Sequence, residues 1–484
     1  MKKVLSKGRQ YYNAIPLPAK ASIWFTICSV IQRGIALLST PIFTRVMTTD
    51  QYGVYTVYQS WYAIVTIFAT LNLYAGVYNN GMTKWPEDRP RYTSALQGLS
   101  TVLTVGLFAV YLVNMDYWNN LMGLSTLFVL AMFIESLFVP AYNFWSAGQR
   151  FDYKYKKLVV VSLFIGIASP VLGLLAVLCT EYKAEARVIS YVLVQVCVGL
   201  IFYIYNMYKG RKFYVKSYWK FALAFNLPLI PHYLSQTILN QADRIMIADM
   251  CGESDAAIYN VAYSFAMIFT IVTTAVNNTF IPYTYKVLRD KTYTALRSTA
   301  NFLVLMVGAF CIIAMAFGPE IIRIFAAPQY YEARWVLPPV AEALLFMFIY
   351  PLFCNIEFYY EKTKFIMLAS GGAAVVNVAL NYIFIGRFGY LAAAYTTLAC
   401  YILLAVVHYA AAKIICRQEG IEVQLYDMRF LVLLSIASMA VMVFMTAIYD
   451  HIIIRYAIIL GFAIVAFKKR AQILETFKTL KSKD

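Results

Sequence analysis

The sequence predicts an all-α integral membrane fold of about fourteen transmembrane helices, arranged as two similarly oriented six-helix halves with two helices appended. Three observations predict it: the apolar content, the length of the apolar runs and an internal repeat. Of 484 residues, 61% are hydrophobic and 13% are charged, and the mean hydropathy is +0.64. Soluble domains carry about 25% charged residues, and no soluble domain of this size could hide so much apolar surface. The apolar runs last about 18 to 25 residues without period-two alternation, which suits a membrane helix and not a barrel strand.

The spans fall in order at 20–44, 53–77, 93–114, 121–146, 158–180, 188–208, 220–247, 256–283, 299–318, 336–360, 365–386, 390–412, 430–448 and 450–467. The basic start "MKKVLSKGRQ" is followed by no small-residue cleavage site, so the first span is expected to stay uncleaved. The segment "GPEIIRIFAAPQYYEARWVLPPV" (318–340) is too polar to span and is expected as an amphipathic surface helix. The last two spans are short.

Charge sets the topology. With the N-terminus inside, the inner segments hold 32 of the 41 Lys and Arg residues and 10 of the 24 acids. The outer segments hold 8 basic and 10 acidic residues, four acids lie within spans, and Arg33 alone is assigned mid-span. This positive-inside pattern places both termini in the cytoplasm. It also turns the net charge of +17 into a matter of topology and anionic lipid contact, and excludes a nucleic-acid surface. The eight cysteines are scattered, with no CxxC pair, and read as small buried apolar residues; no metal site and no cofactor are expected.

The repeat joins the ends of spans 1 and 7 to the starts of spans 2 and 8. "IFTRVMTTDQYGVYTVYQS" parallels "QADRIMIADMCGESDAAIYNVAYS": Arg45-Val46-Met47 matches Arg244-Ile245-Met246, and Tyr55, Val57 and Ser60 match Tyr259, Val261 and Ser264 after an insertion. A copy that begins after six spans keeps its orientation, so the repeat is parallel. The halves are expected at 1–212 and 213–412, joined by the basic stretch at 208–220, with 413–484 holding the appended helices and a basic tail.

Enzymatic constellations are absent: there is no Walker A loop, GxGxxG after a strand, HExxH or GxSxG. The protein is therefore expected not to be an enzyme, and any transport is driven by a gradient or by the substrate's own downhill flow. The chemistry lies in the intramembrane ionisables, which cost about 2.5–3.5 kcal/mol each on insertion scales and face a bundle interior or a wet cavity. Glu135, mid-span, is either paired with a cation such as Arg33 or protonated, and suits a coupling residue. Asp243 and Arg244 form a polar pair near the outer end of span 7, and Asp243 is a second coupling candidate. Glu342 and Glu357 lie near opposite ends of span 10 and are expected to reach water. Asn377 and Asn381 are expected to hydrogen-bond to a neighbouring helix.

Arg33 is the strongest candidate. It precedes Arg45 by twelve residues, as His232 precedes Arg244, so the repeat sets His232 opposite Arg33. Twelve helical residues are ~18 Å, near the bilayer midplane if Arg45 and Arg244 mark the outer interface. "NLPLIPH", with Pro228 and Pro231, reads as a kink just before His232. Arg33, Gln32, His232, Arg45 and Arg244 form the candidate substrate-binding set.

These stretches, together with "VVNVALNYIFIGRFGYLAAAYTT", resemble the polysaccharide-transporter (lipid-linked oligosaccharide flippase) branch of the multidrug/oligosaccharidyl-lipid/polysaccharide (MOP) superfamily. The resemblance covers nearly the whole chain. It implies two six-helix lobes around a central, often cationic cavity with alternating access. It also implies translocation of an undecaprenyl-pyrophosphate-linked oligosaccharide from the inner to the outer leaflet of a bacterial inner membrane. Membrane lipids, a coupling proton or sodium ion and the polysaccharide polymerase or export machinery are the implied partners. The arginine cluster that related peptidoglycan-precursor flippases carry in the first span is not matched, since Arg33 stands alone there. The alternatives are a cation-coupled multidrug or small-molecule exporter of the same architecture, and a membrane-embedded polymerase or glycosyltransferase. The last expects a sizeable outer loop, and the longest here is about 20 residues.

Overall fold

The computed structural model describes residues 16–468, the side chains of 268, 272, 275, 278, 279, 363, 462, 463 and 465–468 excepted. The basic stretches at 1–15 and 469–484, on which part of the charge asymmetry rests, lie outside the described residues. Among the described residues the chain is helical, without strands. A helix satisfies its backbone polar groups internally, as hydrocarbon requires. Contacts divide the chain into two compact units, Met1–Ala257 and Ile258–Asp484.

The first unit contains α1 (Leu17–Val46), α2 (Thr49–Thr70), α3 (Gly76–Lys84), α4 (Arg89–Val113), α5 (Met115–Met122), α6 (Thr126–Phe151), α7 (Tyr155–Leu178), α8 (Lys183–Gly210), α9 (Lys216–Asn226) and α10 (Ile230–Cys251). The first residues of α11 (Glu253–Asp290) also belong to it. Helix α8 packs on α6, α7, α4 and α2, while α1 lies along α7 and α10 along α2. A Cβ on Gly199 would sit 2.6 Å from the Phe138 carbonyl oxygen, so glycine is what lets α8 and α6 approach so closely. The tight turn from α1 into α2 is set by a capping box: Thr48 Oγ1 accepts from the Gln51 N–H, and Gln51 Oε1 accepts from the Thr48 N–H. Many tyrosines fill the interior, and Tyr58, Tyr78 and Tyr92 are fully buried.

The outer surface of this unit is apolar. On α7 the exposed side chains Val160, Phe164, Ile167, Val171, Leu175 and Leu178 recur every three to four residues and form one stripe. Water would oppose such a surface, and lipid accepts it.

The contact boundary at 257/258 falls after the 212/213 boundary expected from the repeat. The reason is local packing. The stretch expected as a connection between halves is anchored to the first unit: Trp219 Nε1 donates to the Ala95 carbonyl at 2.7 Å, and the Tyr218 hydroxyl donates to Asp88. The α11 start follows suit, since a Cβ on Gly53 would fall 2.1 Å from the Glu253 carbonyl oxygen.

The second unit holds the rest of α11, then α12 (Tyr293–Ala316), α13 (Gly318–Phe325), α14 (Leu337–Tyr359), α15 (Thr363–Phe388), α16 (Leu391–Gln418), α17 (Met428–Ala447) and α18 (Ile452–Lys468). Helix α14 is its hub, packed against α16, α12, α17 and α15. Its sequence is apolar on every side, the pattern of a helix enclosed by others. The appended helices are firmly held. Arg455 of α18, fully buried, donates to the Ala316 carbonyl at 3.0 Å and grips both carboxylate oxygens of Glu320 on α13.

Among the described residues, ten helices are long and apolar enough to cross a membrane: α1, α4, α6, α7, α8, α12, α14, α15, α16 and α17. Helices α2, α10 and α11 are long enough but more polar, and α18 is apolar but has 17 residues. The expectation of fourteen spans rests on these four. The single surface helix expected over 318–340 is instead α13, a 3-10 stretch Pro328–Trp335 and the start of α14. Pro328 lacks an N–H and cannot continue a helix entering from α13.

Candidate functional site

Helix α1 carries Gln32 and Arg33 in its middle, one residue and therefore about 100° apart. Gln32 Nε2 donates to the Ser162 carbonyl of α7 at 2.9 Å, and Ser162 Oγ shares a 2.7 Å hydrogen bond with the Tyr142 hydroxyl of α6. Gln32 thus fastens α1 to its neighbour. Arg33 is left on an exposed side of the helix. Near the end of α1, exposed Arg45 donates to the Pro41 carbonyl at 2.8 Å, a common use of a cation in a last turn.

Two further cations gather at that end, and sequence reasoning missed their role. Lys183 Nζ donates to the Val46 carbonyl at 2.7 Å. Arg187, 6% exposed, is sandwiched between Phe43 and Tyr55, with its guanidinium carbon 3.9 and 4.4 Å from the two ring centroids. Its Nη2 donates to the Tyr55 hydroxyl at 3.4 Å, its Nε and Nη1 have no hydrogen-bond partner, and the aromatic faces add cation–π stabilisation. Position alone at the start of a span gave no hint of this, because the two rings come from other helices.

Glu135 is 1% exposed in the middle of α6. The Tyr58 hydroxyl of α2 donates to its Oε2 at 2.7 Å, and Tyr58 stacks on Tyr62. Sequence reasoning offered a cation or a proton as the partner. The hydrogen-bond partner in the structure is a phenol, which no spacing in the sequence marked and which leaves the protonated form open.

The kink expected at "NLPLIPH" is where the seventh span breaks. Helix α9 ends at Asn226, a 3-10 turn covers Leu227–Leu229, and α10 starts at Ile230. His232 therefore stands at the start of a helix, half-buried, with its ring 6.0 Å from that of Tyr233. Arg33 stands inside a continuous helix. The twelve-residue step to Arg45 or Arg244 is helical in both copies, which keeps the ~18 Å separation. Asp243 and Arg244 are both buried, on the helix α10 that packs on α2. Arg244 donates to the Asn240 carbonyl, and Ser60 of α2 donates to Gln241 Oε1 at 3.3 Å.

In the second unit, Glu342 and Glu357 do not reach water as expected. Both are fully buried, because α14 is enclosed along its length. The Ser438 hydroxyl of α17 donates to Glu342 Oε2 at 2.6 Å, and His408 Nδ1 of α16 lies 2.7 Å from Glu357 Oε1. Asn381 bonds to a neighbouring helix as expected, accepting from Thr396 on α16, whereas Asn377 only accepts from Asn381 within α15 and its Nδ2 has no partner.

Family relationships agree with this architecture. The model described as "Polysaccharide biosynthesis protein" matches residues 19–288. The chain belongs to that family. The MatE model matches residues 228–383. The chain is 21% identical, over 373 residues, to "Lsg locus putative protein 1" of Haemophilus influenzae, covering 74% of this chain and 89% of that one. Its fold resembles a MOP superfamily transporter from Pyrococcus furiosus Vc1 (TM-score 0.56, 13% identity, 84% of this chain and 97% of that one). It also resembles the inward-facing conformation of a multidrug resistance MATE family transporter (TM-score 0.57, 14% identity, 83% and 100%). The protein is a multi-pass membrane transporter of the MOP superfamily, on its polysaccharide branch.

Proposed function

We propose that this transporter is a flippase for an undecaprenyl-pyrophosphate-linked oligosaccharide repeat unit. It carries the unit from the inner to the outer leaflet of a bacterial inner membrane by alternating access, coupled to a cation gradient, with both termini cytoplasmic. The observation that carries this reading is Arg33: a guanidinium midway along an otherwise apolar membrane helix, on an exposed side, while its neighbour Gln32 is committed to packing. A pyrophosphate cannot cross hydrocarbon unaided, and arginine offers it a planar, permanently charged fork. His232, Arg45 and Arg244 extend the proposed cationic set, and Glu135 and Asp243 are the proposed coupling acids. Membership of a polysaccharide biosynthesis family supports the choice of glycan cargo.

The test is flipping of a lipid-linked oligosaccharide by the purified protein in liposomes. Arg33→Ala is expected to abolish it and Arg33→Lys to keep part of it. Normal flipping by well-folded Arg33→Ala protein would remove the pyrophosphate role. The MatE match over 228–383 favours a second reading, a cation-coupled multidrug or small-molecule exporter. That reading expects Glu135→Gln to stop transport and Arg33→Ala to leave it intact.

A further inference from the structure

Glu357 and His408 are buried titratable groups that the proposed substrate path does not use. They join α14 to α16, the hub of the second unit and its neighbour. Both side chains are at most 1% exposed and 2.7 Å apart. Glu357 Oε2 is buried without any hydrogen-bond partner. A carboxylate oxygen left this way costs free energy, and the smallest species that relieves the cost is a proton.

A cavity lies beside the residues that flank the pair. A cavity of about 490 Å³ opens beside the last turns of α16 and under the segment that leads to α17. Phe353 and Ile356, one turn and one residue before Glu357, line it, as do Tyr409 and Ala412, one residue and one turn after His408. Lys413 and Arg417 stand at its rim. The charge asymmetry assigns this end of the unit to the cytoplasmic side.

We infer that Glu357 and His408 form the binding site of a coupling proton, loaded through this cavity. The inference rests on the transport reading above and names its coupling ion. With His408 Nδ1–H donating to Glu357 Oε1, a proton delivered by water forms an O–H bond at Oε2 and raises the charge of the pair by one. Release to water breaks that bond and restores the starting state. A histidine beside a carboxylate suits this task because its ordinary titration range, near about pH 6.5, spans physiological values.

The titratable neighbours of the pair are mostly phenols and a thiol. Cys354 and Tyr350 come from its own helix, and the Tyr350 ring stacks on His408 at 5.6 Å. Helix α16 adds Tyr401, stacked on Tyr350, and Tyr409, packed on Phe353. Helix α11 brings Tyr285 against Tyr359, and the 419–427 segment brings Tyr426 against Phe353. Glu342 is fifteen residues away on α14, ~22 Å along the helix. The other packed helices carry charge only near their ends, at Lys364 and Arg387 on α15, Arg429 on α17, and Arg297 on α12, which pairs with Asp427.

Infrared difference spectra of the full-length protein in nanodiscs, taken between about pH 5 and pH 8, test the site without substrate. The carboxyl C=O intensity gained on acidification should be lower in E357Q than in wild type, and the component that E357Q removes should be retained in E342Q and titrate at a different pH in H408Q. A band unchanged in E357Q, or a Glu357 component that titrates in H408Q as in wild type, overturns the site. In liposomes that carry a lipid-linked oligosaccharide, an imposed pH gradient should stimulate wild-type flipping, and E357Q should flip equally with and without the gradient. Gradient stimulation equal to wild type in both E357Q and H408Q, or stimulation by sodium alone, overturns the coupling role. Absence of flipping by wild type with the infrared titration intact counts against the flippase reading and not against the proton site.

Discussion

Glu135 in the first unit and Glu357 in the second are both buried carboxyl groups in apolar helices, yet their partners differ in kind. Glu135 receives a hydrogen bond from a phenol, within a cluster of stacked tyrosines. Glu357 meets an imidazole and keeps one oxygen unpartnered. A phenol ordinarily titrates near about pH 10 and donates without changing charge under physiological conditions. An imidazole changes charge within that range. The first arrangement gives the carboxyl a partner of constant charge, and the second gives it a partner whose own charge can change. A third carboxylate, Glu320, completes the series, since both of its oxygens are held by buried Arg455. The number and kind of partners, rather than burial alone, separate an anchor from a switch.

Three measurements probe this ordering, from the largest effect down. Glu320→Ala leaves Arg455 buried without its counter-charge and is expected to destabilise the protein by about 3–5 kcal/mol, read as a loss of thermal stability in detergent. An unchanged melting temperature would remove the anchoring role. The same contact carries a pH dependence. Burial by itself pushes Glu320 up, but hydrogen bonds from Arg455, its own backbone N–H and Tyr456, with the Arg455 charge, outweigh it and hold the carboxyl below its usual 4.5. A lowered carboxyl contributes stability that is present above the unfolded value and lost as pH falls through the folded one. Wild type should therefore lose stability below about pH 4.5, and a loss that is equally steep in Glu320→Ala would refute this source.

Tyr58→Phe removes the donor to Glu135 and should cost about 1–3 kcal/mol, read as a smaller loss of thermal stability. An unchanged melting temperature would remove the phenol as a stabilising partner. Arg297→Ala should give the smallest change. Arg297 is exposed and its partner Asp427 half-buried, and the Arg297 hydrogen bond and the Phe430 N–H hold the Asp427 carboxyl below the usual range. Solvent and salt screen such a pair. The melting temperature should move within the scatter of the measurement, and a loss as large as that of Glu320→Ala would break the ordering.

Much of the architecture was legible because it is written in composition and local rules. Apolar runs of bilayer length give membrane helices, and Pro228 and Pro231 disrupt the span that precedes His232 through their missing N–H groups. Asn381 was predicted to find a partner on a neighbouring helix because a buried amide must. Other features were illegible for equally definite reasons. Glu342 and Glu357 lie near the ends of a span, where exposure is the default, and nothing local reveals that α14 is surrounded by four helices. Arg455, five residues into the last span, reads as a surface cation until α13 folds back to bring Glu320 against it. Arg187 becomes a buried group only when rings from α1 and α2 close over it.

The sequence by itself determined the solvent of this protein, its helical class, its repeat and the singular place of Arg33, because hydrophobicity, periodicity and charge act along the chain. Only the tertiary structure decided which ionisable groups share a partner. The Tyr58–Glu135, Ser438–Glu342, His408–Glu357 and Arg455–Glu320 contacts each join residues at least 51 positions apart. Spacing within one helix carries no information about such pairs. The packing of whole helices fixes them.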